Sequence, residues 1–186
     1  FQYGNYVRRD LSDGSSYRIT PRHEVGEDRY RYNWNTPVEL SHHNPDIVYF
    51  GSQRLNRSFD EGKSWKAISP DLSYNLPNGD VPFSTITTIA ESPLSFEIIW
   101  IGTDDGKVQR TTDGGATWVD VSEGLPAYRW ISEVHASSHD PSTAYVSLNG
   151  YRFDEFVTYV YKTTDFGETW VSVEGNLPDD VVNIVI

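Results

Sequence analysis

Apolar residues in this chain fall in short runs separated by Gly, Pro, Asp, Asn and Ser, and the stretch 83–122 shows the pattern best. Phe83 to Ala90 reads as one strand and Glu91-Ser92-Pro93 as its turn. Ile98 to Gly102 reads as a second strand, closed by Asp104-Asp105-Gly106. Val108 to Thr111 and Trp118 to Val121 complete a set of four. Val, Ile, Thr and aromatic side chains fill these runs, which suits half-buried pleated surfaces. No apolar stripe recurs at helical spacing. The predicted class is all-β.

The unit repeats. Ser58-Phe59-Asp60-Glu61-Gly62-Lys63-Ser64-Trp65, Thr111-Thr112-Asp113-Gly114-Gly115-Ala116-Thr117-Trp118 and Thr163-Thr164-Asp165-Phe166-Gly167-Glu168-Thr169-Trp170 share the form Ser/Thr-x-Asp-x-Gly-x-Ser/Thr-Trp. Their aspartates stand 53 and 52 residues apart, and Pro45, Pro93 and Pro141 follow in phase at spacings of 48. A worn copy runs from Asp10 to Tyr17 and is followed by Ile19-Thr20-Pro21, as Trp65 is followed by Ile68-Ser69-Pro70.

Each residue type has a mechanical use at such a turn. Gly62, Gly115 and Gly167 supply positive φ. The carboxylates of Asp60, Asp113 and Asp165 accept bonds from nearby backbone N–H groups, and the hydroxyls assist. Trp65, Trp118 and Trp170 pack large rings between neighbouring sheets. A carboxylate repeated once per unit reads as a turn-builder and not as a catalyst.

Four strands per period of about 40–50 residues is the pattern of a β-propeller blade. The boundaries read as the end of a preceding blade over 1–29, blades over 30–72, 83–122 and 128–174, and the first strand of another over 181–186. Propellers close with about 4–8 blades, so the expectation is a partial propeller of about three and a half. Its remaining blades would come from the parent chain or from another chain. Both ends read as cut from something longer. The polar linker from Asp71 to Pro82 and an insertion from Leu148 to Thr158 stand out as loops, and insertions in repeat folds gather on one face, often the binding face.

Composition narrows the partners. The formal net charge is -12, from 27 acidic residues against 15 Lys plus Arg, and such a field repels phosphate backbones. Nucleic acid is therefore not an expected partner. With no cysteine there is no disulfide or thiolate site. No apolar stretch reaches the ~20 residues of a membrane-spanning helix, and no signal peptide is visible.

The repeated turns resemble the Asp-boxes of BNR-repeat propellers, a group that includes sialidases, xyloglucanase-type glycoside hydrolases and the Vps10 domain of sortilin. Longer segments resemble large exported bacterial proteins described as Vps10/sortilin-like or "glycosyl hydrolase" BNR-repeat proteins. These segments are Tyr30 to Pro37, His43-Asn44-Pro45, Tyr49 to Gln53, Ile68 to Leu72, and Gly150 to Phe156 with Tyr159 to Lys162. The resemblance covers the chain from about Tyr30. It implies the propeller fold and a secreted, periplasmic or cell-surface location. Its hydrolase label rests on the repeat, and propellers host many functions.

The candidate chemistry follows from position. Tyr17-Arg18-Ile19-Thr20-Pro21 resembles the sialidase arginine motif, but it follows a worn box where the sialidase motif precedes one, and a Thr is inserted. Arg18 therefore reads as an exposed strand residue. A glycosidase needs two carboxylates across a cleft. Neighbours on a strand point to opposite faces, which disfavours Asp104-Asp105, Asp154-Glu155 and Asp179-Asp180 as pairs. Glu133, near the start of an innermost strand, and Asp154, on the insertion, are the catalytic candidates. Adjacent His42-His43 has the wrong geometry for one ion, and no metal or cofactor is expected.

Aromatics near the starts of first strands, Tyr32 with Trp34 and Tyr128 with Trp130, carry Arg31 and Arg129 among them and would surround a channel mouth. Inter-blade packing is the plain reading of this group. Trp34, Arg129, Trp130 and Tyr151 are the candidates for gripping a sugar or a peptide. The expected function is a non-catalytic scaffold or binding segment for protein or glycan. The alternative is part of a glycoside hydrolase completed by blades elsewhere.

Overall fold

A computed structural model describes residues 2–77 and 79–178. The strand expected over 181–186 and the Asp179-Asp180 pair lie outside the described residues. The described residues form three four-stranded antiparallel sheets and one two-stranded ribbon. The ribbon pairs β1 (Val7–Arg9) with β2 (Ser16–Arg18). The first sheet orders β3 (Val38–Leu40), β4 (Val48–Gly51), β5 (Leu55–Ser58) and β6 (Lys66–Ala67). The second orders β7 (Ile86–Glu91), β8 (Ile99–Thr103), β9 (Val108–Thr111) and β10 (Val119–Asp120). The third orders β11 (Trp130–Ala136), β12 (Ala144–Gly150), β13 (Glu155–Thr163) and β14 (Val171–Ser172). In every sheet, strands adjacent in sequence are adjacent in space, so each is a meander. This is a partial β-propeller of four-stranded blades.

The core lies at the seams between sheets, and the period-2 alternation of β8 explains why. Ile99 and Ile101 face one seam, where they pack with Tyr49, Leu55, Ile68, Leu72, Ile86 and Ile89. Trp100, between them, faces the other seam and packs with Val108, Val121, Ile131, Val134 and Val146. A strand buried on both faces reads as a continuous apolar run, and β8 is buried throughout.

The repeated turns are built alike. In the second sheet, Thr111 Oγ1 donates to Asp113 Oδ1 (2.8 Å), and the backbone N–H of Thr117 donates to the same oxygen (2.8 Å). Thr117 Oγ1 donates to Asp113 Oδ2 (2.6 Å), and Gly115 N–H donates to Thr111 Oγ1 (3.0 Å). Asp60, with Ser58, Gly62 and Ser64, repeats the set. So does Asp165, with Thr163, Gly167 and Thr169. Hydroxyl donors, first among them Ser64, Thr117 and Thr169, hold all three carboxyls down at about 2. Glu61, Gly114 and Phe166 precede the glycines in the left-handed region.

Each turn also locks onto the sheet before it. A Cβ on Gly115 would stand 2.8 Å from the Ile68 carbonyl oxygen, and one on Gly167 2.9 Å from Val121 Cβ. Trp118 donates its indole N–H to Ile68 O (2.9 Å), and Trp170 donates to Val121 O (2.7 Å). Arg57 of β5 reaches the Gly114 carbonyl (3.1 Å), and Arg110 of β9 reaches that of Phe166 (2.5 Å). Trp65 departs from the expected equivalence: its ring stacks edge-on against Phe50 at 5.6 Å, but its buried N–H has no acceptor among the described residues.

Candidate functional site

At the ends of the sheets where β3 and β11 begin, a cavity of about 240 Å³ is lined by Tyr3, Asn33, Trp34, Val81, Pro82, Trp130 and Arg152. Two of the expected ligand-binding residues, Trp34 and Trp130, thus meet although they lie in different repeats. Trp34 is 56% exposed and stands edge-on to Tyr3 at 5.2 Å. Trp130 opens β11, where it pairs with Asn149 of β12. The Arg152 guanidinium lies 4.5 Å over the Trp130 ring and 5.8 Å from that of Tyr151, a cation–π arrangement. Arg152 Nε donates to Tyr151 Oη at 3.1 Å.

The expected insertion carries this wall. It extends β12 and β13 into a hairpin tipped by a 3-10 turn, Tyr151–Phe153, closed by Asp154 in the left-handed region. Tyr151, Phe153 and Phe156 expose their rings there. Arg129 does not face the cavity as a free cation. Its Nε pairs with Glu155 Oε2 and its guanidinium lies 4.4 Å over Phe153, while Tyr159 Oη donates to the other Glu155 oxygen (2.6 Å). Arg31 is held likewise, by Asp71 (2.7 Å) and the Ser84 carbonyl. Tyr32 stacks on Phe50 and donates to the Pro21 carbonyl (2.6 Å), and Tyr128 pairs with Tyr74. Trp34 and Trp130 therefore line the cavity, whereas Arg31, Arg129 and Tyr32 are engaged by the neighbouring loops.

Beneath the cavity, Asp104 is buried. It accepts from Thr85 N–H (2.7 Å), Thr85 Oγ1 (2.7 Å) and Asn33 Nδ2 (3.0 Å). Burial pushes its carboxyl up to about 6 against the Thr85 bonds, with Asp105 adding repulsion. Asp105 is buried too and accepts from Thr103 Oγ1 (2.6 Å) and Tyr74 N–H (2.8 Å). The sequence places this pair in a turn, where it lies. Its second use, tying the 74–85 segment to the sheet, depends on contacts across the fold.

A second cavity, of about 410 Å³, lies toward the other ends of the first strands. Glu39, His42, Glu91, Glu133 and His135 supply its polar lining, with Ile89, Val134 and Ala136 among the apolar residues. Glu133 accepts from Thr88 Oγ1 (3.1 Å). Burial raises its carboxyl, and Glu39 raises it further. Glu39 is itself raised by burial, with Glu91 adding repulsion. Glu91 is fully buried and accepts from Ser41 Oγ, His42 N–H and Tyr49 Oη. The cavity brings Glu133 together with Glu39, which nothing in the sequence distinguishes, and not with Asp154, which is exposed on the insertion turn. His42 and His43 sit in an exposed bend, with His43 Nε2 2.9 Å from the Ser92 carbonyl. Among the described residues no group of three or more His, Asp or Glu side chains is arranged to hold a metal ion, and no helix is long and apolar enough to cross a membrane.

No protein-family model matches the chain, and no curated protein matches it. Solved structures do. An ancestral GH74 enzyme superposes with a TM-score of 0.59 at 16% identity, over 75% of this chain and 18% of that one. The GH74 enzyme of Niastella koreensis superposes with a TM-score of 0.58 at 17% identity, over 96% of this chain and 30% of that one. The GH74 xyloglucanase of Xanthomonas campestris superposes with a TM-score of 0.54 at 19% identity, over 76% and 22%. The chain thus spans less than a third of the length of these structures. At such identities the likeness is one of fold, and the fold it gives is the β-propeller.

Proposed function

We propose that this chain is a non-catalytic propeller segment that binds a protein or glycan ligand on its aromatic face. The observation that carries this reading is the meeting of Trp34 and Trp130 at one cavity, roofed by Arg152 and flanked by Tyr151. Exposed aromatic rings with a few polar groups at a concave site favour ligand stacking. The resemblance to exported BNR-repeat proteins of the Vps10/sortilin type supports a secreted, periplasmic or cell-surface setting. Further blades, from the parent chain or another, fit the third sheet. Val173 takes the place there that Ile68 and Val121 hold in the others, yet it is 41% exposed where they are 9% and 5%. The test is a glycan and peptide array probed with the wild-type chain and with Trp34→Ala and Trp130→Ala. Loss of the wild-type signal in both variants is the expected result, and signal unchanged in both overturns the reading.

The second reading is part of a glycoside hydrolase. Glu133 and Glu39, both raised, line one cavity, and a raised carboxyl can serve as a general acid. Hydrolysis of a glycan abolished by Glu133→Gln or Glu39→Gln would favour it. Absence of turnover, or turnover unchanged in both variants, leaves the binding reading.

A further inference from the structure

The lead-in to the first sheet, with β2, places three arginines at one cavity that neither reading uses. A cavity of about 240 Å³ is lined by Arg18, Thr20, Pro21, Arg22, His23, Arg29, Tyr30 and Tyr32. Three of the chain's 15 basic residues converge there, in a protein of net charge -12, and no carboxylate lines the cavity. Arg8, Arg31, Arg54, Lys63, Lys107 and Arg129 each pair with a carboxylate. Among the described residues Arg18, Arg22 and Arg29 make no such pair.

The cavity also has fixed walls. Arg18 of β2 donates through Nη2 to Asn5 Oδ1 (2.6 Å), a neutral acceptor that orients the guanidinium without cancelling its charge. Its Nε reaches Thr20 Oγ1 at 3.4 Å. Tyr32 Oη donates to the Pro21 carbonyl (2.6 Å) and fixes the chain that carries Arg22. The rings of His23, Tyr30 and Tyr32 stand edge-on in a row, with centroids 6.2 Å apart at each step. Two acids, Glu24 and Glu27, line the adjoining depression with Arg22 and Arg54, and Glu27 is paired with Arg54 at 3.6 Å.

Like charges that share a cavity with no carboxylate in its wall raise the free energy of the unliganded site and lower that of an anion entering it. Guanidinium forks match oxyanions through paired N–H bonds. Three of them supply more charge than a single carboxylate neutralises. We infer that this cavity binds a doubly charged tetrahedral oxyanion, the sulfate or phosphate monoester group of a small or sugar-borne ligand.

The test is titration of the chain with sodium sulfate, sodium phosphate and sodium acetate at constant ionic strength, followed by amide chemical shifts around Arg18–Tyr32. Saturable binding of sulfate or phosphate, weaker for acetate by roughly tenfold or more, is expected. Arg18→Gln, Arg22→Gln and Arg29→Gln should each weaken it by a similar factor, whereas Arg152→Gln at the other cavity should not. All three arginines are exposed, so these variants should fold, and an unchanged thermal transition verifies that. Glucose 6-sulfate against glucose 6-phosphate then distinguishes the two sources of the group. Non-saturable shifts with both dianions overturn the inference, as do equal affinity for acetate or affinity indifferent to all three substitutions. None of these results bears on the Trp34–Trp130 cavity.

Discussion

The indole N–H of Trp118 donates to the carbonyl of Ile68 at 2.9 Å, so the turn of the second sheet is fastened to the strand end of the first. Trp170 and Val121 repeat the contact one seam further on. Trp65, the third member of the series, has its N–H buried without an acceptor among the described residues. The three positions therefore differ in energy although their motif is the same.

Trp118→Phe and Trp170→Phe should each destabilise the chain by about 1–3 kcal/mol, because a buried carbonyl is left without its donor. Trp65→Phe keeps an aromatic ring and removes an N–H that has no acceptor, so it should cost clearly less. Urea unfolding of the three variants checks this. A loss for Trp65→Phe equal to the other two would contradict the assignment.

Gly115→Ala should destabilise by about 1–3 kcal/mol, since φ is +96° and the added Cβ would meet the Ile68 carbonyl oxygen at 2.8 Å. Gly14→Ala, also at positive φ but with nothing within 4 Å of the added atom, isolates the backbone part of the effect. Thermal unfolding of the two variants should rank Gly115→Ala as the more damaging.

Asp104 makes stability depend on pH with a definite sign. Its carboxyl is raised from 3.8 to about 6 in the folded chain. Between those values the folded state therefore holds more protons than the unfolded, and stability falls as pH rises through this window. At pH above 6 the contribution is unfavourable by about 3 kcal/mol. Glu39 and Glu133, raised as well, act in the same direction. The turn aspartates, held at about 2, act in the opposite direction and lose their contribution only as pH falls below about 4. Urea unfolding at pH 5 and pH 7.5 should show the chain more stable at pH 5. In Asp104→Asn that difference should shrink; if it is undiminished, Asp104 is not its source.

Val121→Asp should unfold the chain or cost more than about 3 kcal/mol, because it buries an unpaired charge in a seam. Val173→Asp, at the matching but exposed position of the third sheet, should change stability little. Chemical denaturation of both variants distinguishes them. Equal loss would mean that Val173 is already covered.

Sequence determined the all-β class, the repeat and the construction of the turns. The chemistry of each turn is local: Asp113 bonds to Thr111 and Thr117, within four residues on either side, so a motif is enough to specify it. Apolar alternation likewise specified β8, because neighbouring side chains of a strand must face opposite seams. Only the tertiary structure decided which distant groups meet. Trp34 and Trp130 are 96 residues apart and share a cavity because two blades bring their lead-in segments to one end of the fold. Arg129 reads as available in sequence, but Glu155 holds it; Arg152 does not stand out there, and it roofs the Trp130 ring. Local hydrogen bonding is written in adjacent residues, whereas a cavity wall is assembled from separate segments, and its composition depends on how the sheets pack.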